Sequence, residues 1–274
     1  MISFFYTRGG AGHIRGIQMA DWLEAKKNPK EGFENDLCIY VKVEPKDYPK
    51  RSYLDVVDAP RAVRFVQSHT IGIIAISRVA QKYLQELTGK EVVFIPHHHC
   101  NYERFIRPDR EVRYVGIIGS QNSFQYPTEE IRKKLKEIGL ELLYDQDHWK
   151  HYNNEPNKEG KDSREKVVNF HKKIDLQIVW RPEAWSKSYD PLRSPLKLEN
   201  AGSFGIPTVA YPEPSYADEF GDSFIHAQSI DHLVEECRKL KENYDYYKHY
   251  SQKVLRRAED YHIEKVSKLY LELK

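Results

Sequence analysis

The sequence predicts an α/β protein of two Rossmann-like βα lobes that face each other across a cleft, with helices at the carboxyl end. Three observations carry this. Short β-branched and aromatic runs alternate with amphipathic stretches, the pattern of βα units whose parallel sheet is buried on both faces. The alternation occurs twice, on either side of a stretch with two prolines and several charges, Pro96 to Arg110. From about Ile230 onward the chain is strand-free and rich in Lys, Glu and Tyr. The expected lobes are 1–105 and 106–274, and 274 residues suit two domains of roughly 150 residues each.

In the first half, the strand-like runs are Ile2 to Tyr6, Leu37 to Val43, Tyr53 to Val57, Gly72 to Ile76 and Val92 to Ile95. Ile14, Ile17, Met19, Ala20 and Leu23 form one apolar helical stripe after the first run. Ser77 is placed to cap a second helix through Val79, Ala80, Tyr83, Leu84 and Leu87, which Gly89 ends. In the second half, the strands are Val112 to Ile118, Leu140 to Tyr144, Asp175 to Trp180, Pro207 to Tyr211 and Ser223 to Ala227. Thr128 is placed to cap a helix with Glu129 and Glu130 in its first turn and Arg132, Lys133 and Lys134 later, the polarity that suits the helix dipole. Ser163 is placed to cap the next. Between Asp145 and Asp162 runs a polar stretch long enough to read as a mobile loop. Two or three closing helices are expected to cover the second lobe and return toward the first.

Composition excludes several classes. Lys and Arg number 43 and Asp and Glu 41, a formal charge of +2, so no global field selects nucleic acid or an anionic membrane. Tyrosines interleaved with lysines from Tyr244 to Tyr250 therefore read as aromatics buried on amphipathic helices, not as a stacking platform for bases. Cys38, Cys100 and Cys237 are too few and too scattered for a disulfide framework or paired metal ligands, and read as buried thiols of a reducing compartment. No apolar run reaches 18 residues and no leader pattern precedes the first strand, so a cytoplasmic chain without a transmembrane segment is expected.

The chemistry-bearing residues fall in two places. Thr7-Arg8-Gly9-Gly10-Ala11-Gly12-His13-Ile14-Arg15 joins the first strand to the first helix, where open α/β sheets hold ligands. Gly9, Gly10 and Gly12 admit close approach of an anion to backbone amides, yet they lack the spacing of a dinucleotide fingerprint, and a plain steric turn stays open. His13 at the helix start would be kept neutral by the dipole, as a general base needs; capping its own helix is the alternative. The second place is Arg193-Ser194-Pro195-Leu196-Lys197-Leu198-Glu199-Asn200-Ala201, followed by Gly205-Ile206-Pro207-Thr208-Val209. Ser194 and Pro195 read as a helix start whose free amides, with Arg193 and Lys197, suit a diphosphate, while Glu199 suits ribose or sugar hydroxyls. A solvated surface helix is the rival. His97, His98 and His99 beside Cys100 invite a metal, but only two would share a face, and packing of the linker is the expectation, one imidazole reaching the cleft being the lesser alternative. Trp180 and Arg181 end a strand and are placed to line a donor pocket or, for Trp180, the core.

The segment Ser194 to Ala201 with Gly205 to Val209 resembles the donor-site segment of GT-B glycosyltransferases, particularly family 4. Ile76-Ser77, Val93-Phe94-Ile95-Pro96, Tyr114-Val115-Gly116 and Gly9-Gly10-Ala11-Gly12-His13 resemble other landmarks of that fold, so the likeness covers most of the chain. It implies a metal-independent, hexosyltransferase-like enzyme with a nucleoside diphosphate sugar as co-substrate and no other cofactor. The donor would be held mainly by the second lobe, the acceptor by the first, and the anomeric configuration would be retained. Carried over, Lys197 and Arg193 meet the diphosphate, Glu199 the ribose, and Gly119 with Ser120 the phosphates. Ser194, Asn200 and Arg181 complete the donor set. Gly9, Gly10, Gly12, His13 and Arg15 face the reaction centre. The chain departs from the family where Pro191 stands in place of an acid eight positions before Glu199, with Asp190 adjacent and Glu183 farther off. Its first lobe is also short. A non-catalytic nucleotide-sugar or glycan binder and a sugar-nucleotide epimerase are the alternatives.

Overall fold

The computed structural model describes residues 1–7, 9–44, 48–59, 72–119, 127–145, 160–182 and 191–274. Two parallel sheets form its frame. The first contains β1 (Ile2–Tyr6), β2 (Lys26–Lys27), β3 (Leu37–Val41), β4 (Ser52–Asp55), β5 (Gly72–Ala75) and β6 (Val92–Phe94), in the order β2-β1-β3-β4-β5-β6. The second contains β7 (Tyr114–Ile118), β8 (Glu141–Asp145), β9 (Leu176–Val179), β10 (Thr208–Ala210) and β11 (Ile225–His226), in the order β11-β10-β9-β7-β8. Every strand pair among them is parallel. All ten expected strands are present. The eleventh, β2, is two lysines at an edge and too short to leave a periodic signal.

Alternation along the strands explains why both faces are covered. In β3, Leu37, Ile39 and Val41 enter one core with Phe4, Ile74 and Ile95, while Cys38 and Tyr40 enter the opposite core with Leu54, Ile73 and Val92. In the second sheet, Val115, Ile117, Leu142, Leu176 and Ile178 pack on one face, and Ile118 and Val179 contribute to clusters on the other.

The helix between β1 and β2, α1, begins as a π-type turn over Gly12–Gln18 and continues as an α-turn over Met19–Trp22. Helix α2 (Arg78–Thr88) is capped as expected: Ser77 Oγ accepts the Ala80 amide at 3.0 Å, and Gly89 closes it with φ 65°, a left-handed conformation suited to glycine. Helix α3 (Thr128–Glu137) differs by one residue. Pro127 holds the cap position and its carbonyl accepts the Ile131 amide, so Thr128 is the first helical residue and not the cap. Helix α4 (Gly160–His171) follows, and the side chain of Ser163, expected to cap it, lies outside the described residues, as do residues 146–159 of the polar stretch between Asp145 and Asp162. Then come α5 (Leu196–Ser203), α6 (Pro214–Phe220), α7 (Ile230–Glu242), α8 (Tyr244–Ala258) and α9 (Ile263–Leu271). Tyr247 is buried, and Tyr246 and Tyr250 pack against the second core, as aromatics on an amphipathic helix should.

The strands before residue 105 all belong to the first sheet and those after it to the second. The terminal helix crosses back: Ile263, Val266 and Tyr270 of α9 are buried against Phe4, Met19 and Ala20. Two further contacts tie the lobes, α1 against α4 and α2 against α6. The segment between β6 and β7 is no loose linker. Asn101 is buried and clamps it: its Nδ2 donates to the Phe105 and Ser203 carbonyls, both at 2.8 Å, and its Oδ1 accepts the Phe105 amide at 2.9 Å.

Candidate functional site

Both sheets reverse their winding at their first strand. From β1 the chain adds β2 on one side and β3 on the other; from β7 it adds β8 on one side and β9 on the other. Crevices beyond the carboxyl ends of such strands are where this architecture receives ligands. Here the helix that follows β1 and the loop that follows β7 meet at one crevice of about 80 Å³. From the first lobe it is lined by Ile14 and Gln18 of α1, and from the interlobe segment by His98 and Cys100. From the second lobe come Ile118 and Gly119 after β7, Arg164 and Val167 of α4, and Leu196, Lys197 and Asn200 at the start of α5.

Helix geometry decides which α5 residues reach it. Pro195 takes the cap position that was expected of Ser194, and its carbonyl accepts the Leu198 and Glu199 amides at 2.8 and 3.0 Å. The amides of Leu196 and Lys197 thus stand ahead of the first intrahelical bond, at the positive end of the helix. Lys197 and Asn200, three residues apart, share a face. Glu199, two residues past Lys197, is turned by about 200° at 3.6 residues per turn. The resemblance implied a ribose partner here; instead Glu199 is fully buried, and neither carboxyl oxygen has a hydrogen-bond partner among the described residues. Burial, with the neighbouring carboxyl of Glu219, pushes its pKa well above the ordinary range, so it is a neutral acid inside the lobe.

Lys197 is half-buried, and its Nζ donates to the Ile118 carbonyl at 2.8 Å, tying α5 to the end of β7. Burial and the nearby Arg181 lower its pKa to about 7. The Asn200 Oδ1 accepts the Cys100 amide at 2.8 Å. Arg164, which the sequence reading did not single out, is the second cation of the crevice. Its Nη1 donates to the Cys100 carbonyl at 2.9 Å, its two terminal nitrogens bind the Glu103 carboxylate at 3.0 and 2.8 Å, and its guanidinium lies 4.3 Å from the centre of the Tyr102 ring. Only the folded chain brings it there: a lone arginine after a polar loop carries no spacing signal.

The other expected cations are held elsewhere. Arg181 binds Glu213 with two nitrogens at 2.7 Å and donates to the Tyr216 hydroxyl at 2.8 Å. Arg193 meets the same carboxylate at 3.1 Å. Arg15, expected at the reaction centre, is buried in the first lobe; it pairs with Asp55 at 2.5 Å and donates to the Pro96 carbonyl at 2.7 Å. Its α1 position puts it on the core side, opposite the crevice face of Ile14 and Gln18. Trp180 is core, edge-on to Tyr211.

The glycine turn divides. A Cβ on Gly12 would lie 1.9 Å from the Thr7 carbonyl oxygen, so steric necessity explains that glycine, whereas a Cβ on Gly10 would meet nothing within 4 Å among the described residues. Gly9 has φ 124° and its carbonyl accepts the His13 amide at 2.9 Å. His13 is buried, and burial lowers its pKa, which keeps the ring neutral by desolvation where the helix dipole was the expected cause. Among the described residues, neither His13 nor these glycines line the crevice. Ser120, Glu183 and Asp190 lie outside the described residues.

His97, His98 and His99 are all buried. Among the described residues, no group of three or more His, Cys, Asp or Glu side chains is disposed to hold a metal ion. Likewise, no described helix is long and apolar enough to cross a membrane. The three cysteines are free thiols, all buried.

No protein-family model matches the chain, and no curated protein does. Solved structures do. A glycosyltransferase from Rickettsia africae ESF-5 superposes with a TM-score of 0.63 at 11% identity, over 99% of this chain and 96% of that one. HepE from Anabaena, solved with UDP and glucose, gives 0.63 at 11% identity, over 99% and 98%. TarM from S. aureus gives 0.60 at 12% identity over 88% of this chain, which spans 55% of TarM. At such identities the likeness establishes the fold, which is the two-lobe GT-B architecture.

Proposed function

We propose that the chain is a glycosyltransferase that moves a sugar from a nucleoside diphosphate sugar to an acceptor hydroxyl in the interlobe crevice. One observation carries the reading: the helix after β1 and the loop after β7 meet at one interlobe crevice whose second-lobe wall combines the amide end of α5, Lys197, Asn200, Gly119 and Arg164, donors suited to a diphosphate. Loss of the diphosphate from the anomeric carbon needs cations fixed beforehand around the departing oxygens. In this reading Lys197 and Arg164 supply that charge and no metal is required, so chelators leave the reaction unchanged. A crevice of about 80 Å³ admits a phosphoryl group, while ligand sites usually measure roughly 300–1,000 Å³, so the whole donor enters only as the lobes part. His13, held neutral by burial one residue before Ile14, is kept as the candidate base. The three unpaired thiols fit a cytoplasmic setting.

The test is a thermal-shift and turnover panel of nucleoside diphosphates and their sugars, beginning with UDP and UDP-hexoses, since a structural neighbour was solved with UDP and glucose. Stabilisation should rise with ligand concentration over its dissociation constant. The absence of any stabilisation at saturating concentration removes the reading. Pro191, where the family carries an acid, favours a second reading, a binder without turnover; tight binding with neither transfer nor hydrolysis would establish it. Conversion of a donor without an acceptor would mark an epimerase.

A further inference from the structure

His98 stands in the crevice in a network that is one proton short. Its ring is buried, and among the described residues every polar atom within hydrogen-bond distance of it is an acceptor or is drawn elsewhere. Nε2 lies 2.9 Å from the Ile14 carbonyl of the π-type turn; a carbonyl carries no hydrogen, so Nε2 holds the ring proton. Nδ1 faces the His99 carbonyl at 3.3 Å and the Tyr102 hydroxyl, also at 3.3 Å. That hydroxyl has one hydrogen, and the shorter of its two contacts is to Gln18 Oε1 at 3.0 Å. With the hydrogen donated to Gln18, Nδ1 is left facing lone pairs. A proton on Nδ1 satisfies all of these contacts together.

Burial and nearby cations oppose the charging of the ring, and its carbonyl contacts favour it. The groups facing it are Arg15 from α1, His97, His99 and Tyr102 of its own segment, and His262 from the start of α9. Lys197 and Arg164 line the same crevice. Desolvation and the neighbouring cation hold the ring neutral, with a pKa lowered to about 4, while its two carbonyl contacts favour the charged form. An anion in the crevice adds to the second side.

We propose that His98 is a proton-dependent partner of this anion crevice: a phosphoryl group entering beside it draws a proton from solvent onto Nδ1, so that ligand binding and proton uptake are one event. The proposal rests on the reading of the crevice as a diphosphate site. The proton comes from water or buffer and leaves with the ligand, so nothing is oxidised and no bond to the ligand forms. Such uptake makes binding stronger as pH falls, by reciprocal linkage.

The experiment is calorimetric titration of the full chain with inorganic pyrophosphate at pH 6, repeated in buffers of different ionisation heat to count protons. At that pH a group with a pKa of about 4 is about 1% protonated and one of about 7 is already about 90% protonated, so Lys197 contributes little and His98 nearly all the change. If the bound ring's pKa rises by two units or more, wild type takes up at least about half a proton more than His98→Gln, and the difference cancels protons carried by the ligand itself. Equal uptake in the two chains, with pyrophosphate bound, overturns the proposal and leaves the diphosphate reading standing. No pyrophosphate binding at all overturns both. Wild type alone supplies the check that needs no variant: the ring nitrogen resonances of His98 should move to the imidazolium positions at saturation. A neutral ring, protonated at Nε2 only, in the bound state overturns the proposal.

Discussion

Lys197→Met separates what this residue does for the ligand from what it does to the fold. The ammonium is held near pKa 7 against an ordinary 10.5, a difference that corresponds at about 1.36 kcal/mol per unit to an upper bound of about 5 kcal/mol. The side chain is only half-buried, so solvent screening reduces the expected cost to about 1–3 kcal/mol. The sign follows from proton binding. Between pH 7 and 10.5 the unfolded chain holds the proton and the folded chain has lost it, so stability rises with pH across that window. The cost is complete below pH 7 and gone above 10.5. Methionine keeps the length of the side chain and removes the charge. At pH 6 it should raise the melting temperature by several degrees, at about 2–4 °C per kcal/mol for a chain approaching this size, and flatten the alkaline slope. Pyrophosphate or UDP binding should weaken about 10- to 100-fold, the value of a charge-assisted hydrogen bond of about 1.5–3 kcal/mol. Scanning calorimetry and isothermal titration measure the two effects. A variant that melts lower, or that binds as tightly as wild type, would refute the reasoning that this lysine is held for a ligand at the expense of stability.

Arg15→Met should cost about 3–5 kcal/mol in urea unfolding, because it strands the buried Asp55 carboxylate, while the double variant with Asp55→Leu should recover a good part of the loss. An unchanged midpoint in the single variant would count against the pair. Gly12→Ala should abolish soluble folded protein, since its Cβ would lie 1.9 Å from the Thr7 carbonyl oxygen, whereas Gly10→Ala should melt within a degree or two of wild type. Equal tolerance at both positions, read by expression and circular dichroism, would contradict this steric account. Glu199→Gln should be nearly neutral below about pH 4.5 and increasingly stabilising as pH rises above it. A carboxyl whose folded pKa is raised binds its proton more tightly in the folded chain, so stability falls as pH rises from about 4.5 toward the folded pKa, and the amide removes that fall. A wild-type stability curve parallel to that of the variant over pH 5–9 would dispose of the buried neutral acid. Asn101→Ala should lower stability by about 2–3 kcal/mol through three lost hydrogen bonds, and a loss below about 0.5 kcal/mol would show that the clamp is dispensable.

The strands were legible because each is a short run of β-branched and aromatic residues buried on both faces, as with Leu37 to Val41. Ser77 and Gly89 were legible because capping is local chemistry: a hydroxyl three residues from an amide, and a backbone angle that glycine adopts without strain. The edge strand β2 left no signal, since two exposed-edge lysines have no period to show. At Thr128 the spacing pointed to the right turn of helix and missed the cap by one residue, because Pro127 satisfies the first amide with its carbonyl and no side chain takes part.

The site divides along the same line. Lys197 was singled out as a cation one turn into a helix start, which is local chemistry, and Asn200 only through the family resemblance; the fold puts both on one crevice. Glu199 and Arg15 were misassigned because charge in a sequence says nothing about which side of a helix meets water; in the fold both are buried, Arg15 beside the Tyr270 ring and Asp55. Arg164 left no signal, and His98 stood only among three imidazoles of which one was the lesser candidate to reach the cleft. Arg164 and Lys197 are 33 positions apart and His98 is farther still, and only the docking of the interlobe segment onto α5 brings them to one crevice. The sequence by itself determined the strands of the two parallel sheets and both ends of α2, since those depend on neighbours within a few residues. Tertiary structure alone decided which charges line the crevice, because desolvation and partner choice are properties of packed surfaces and not of positions along a chain.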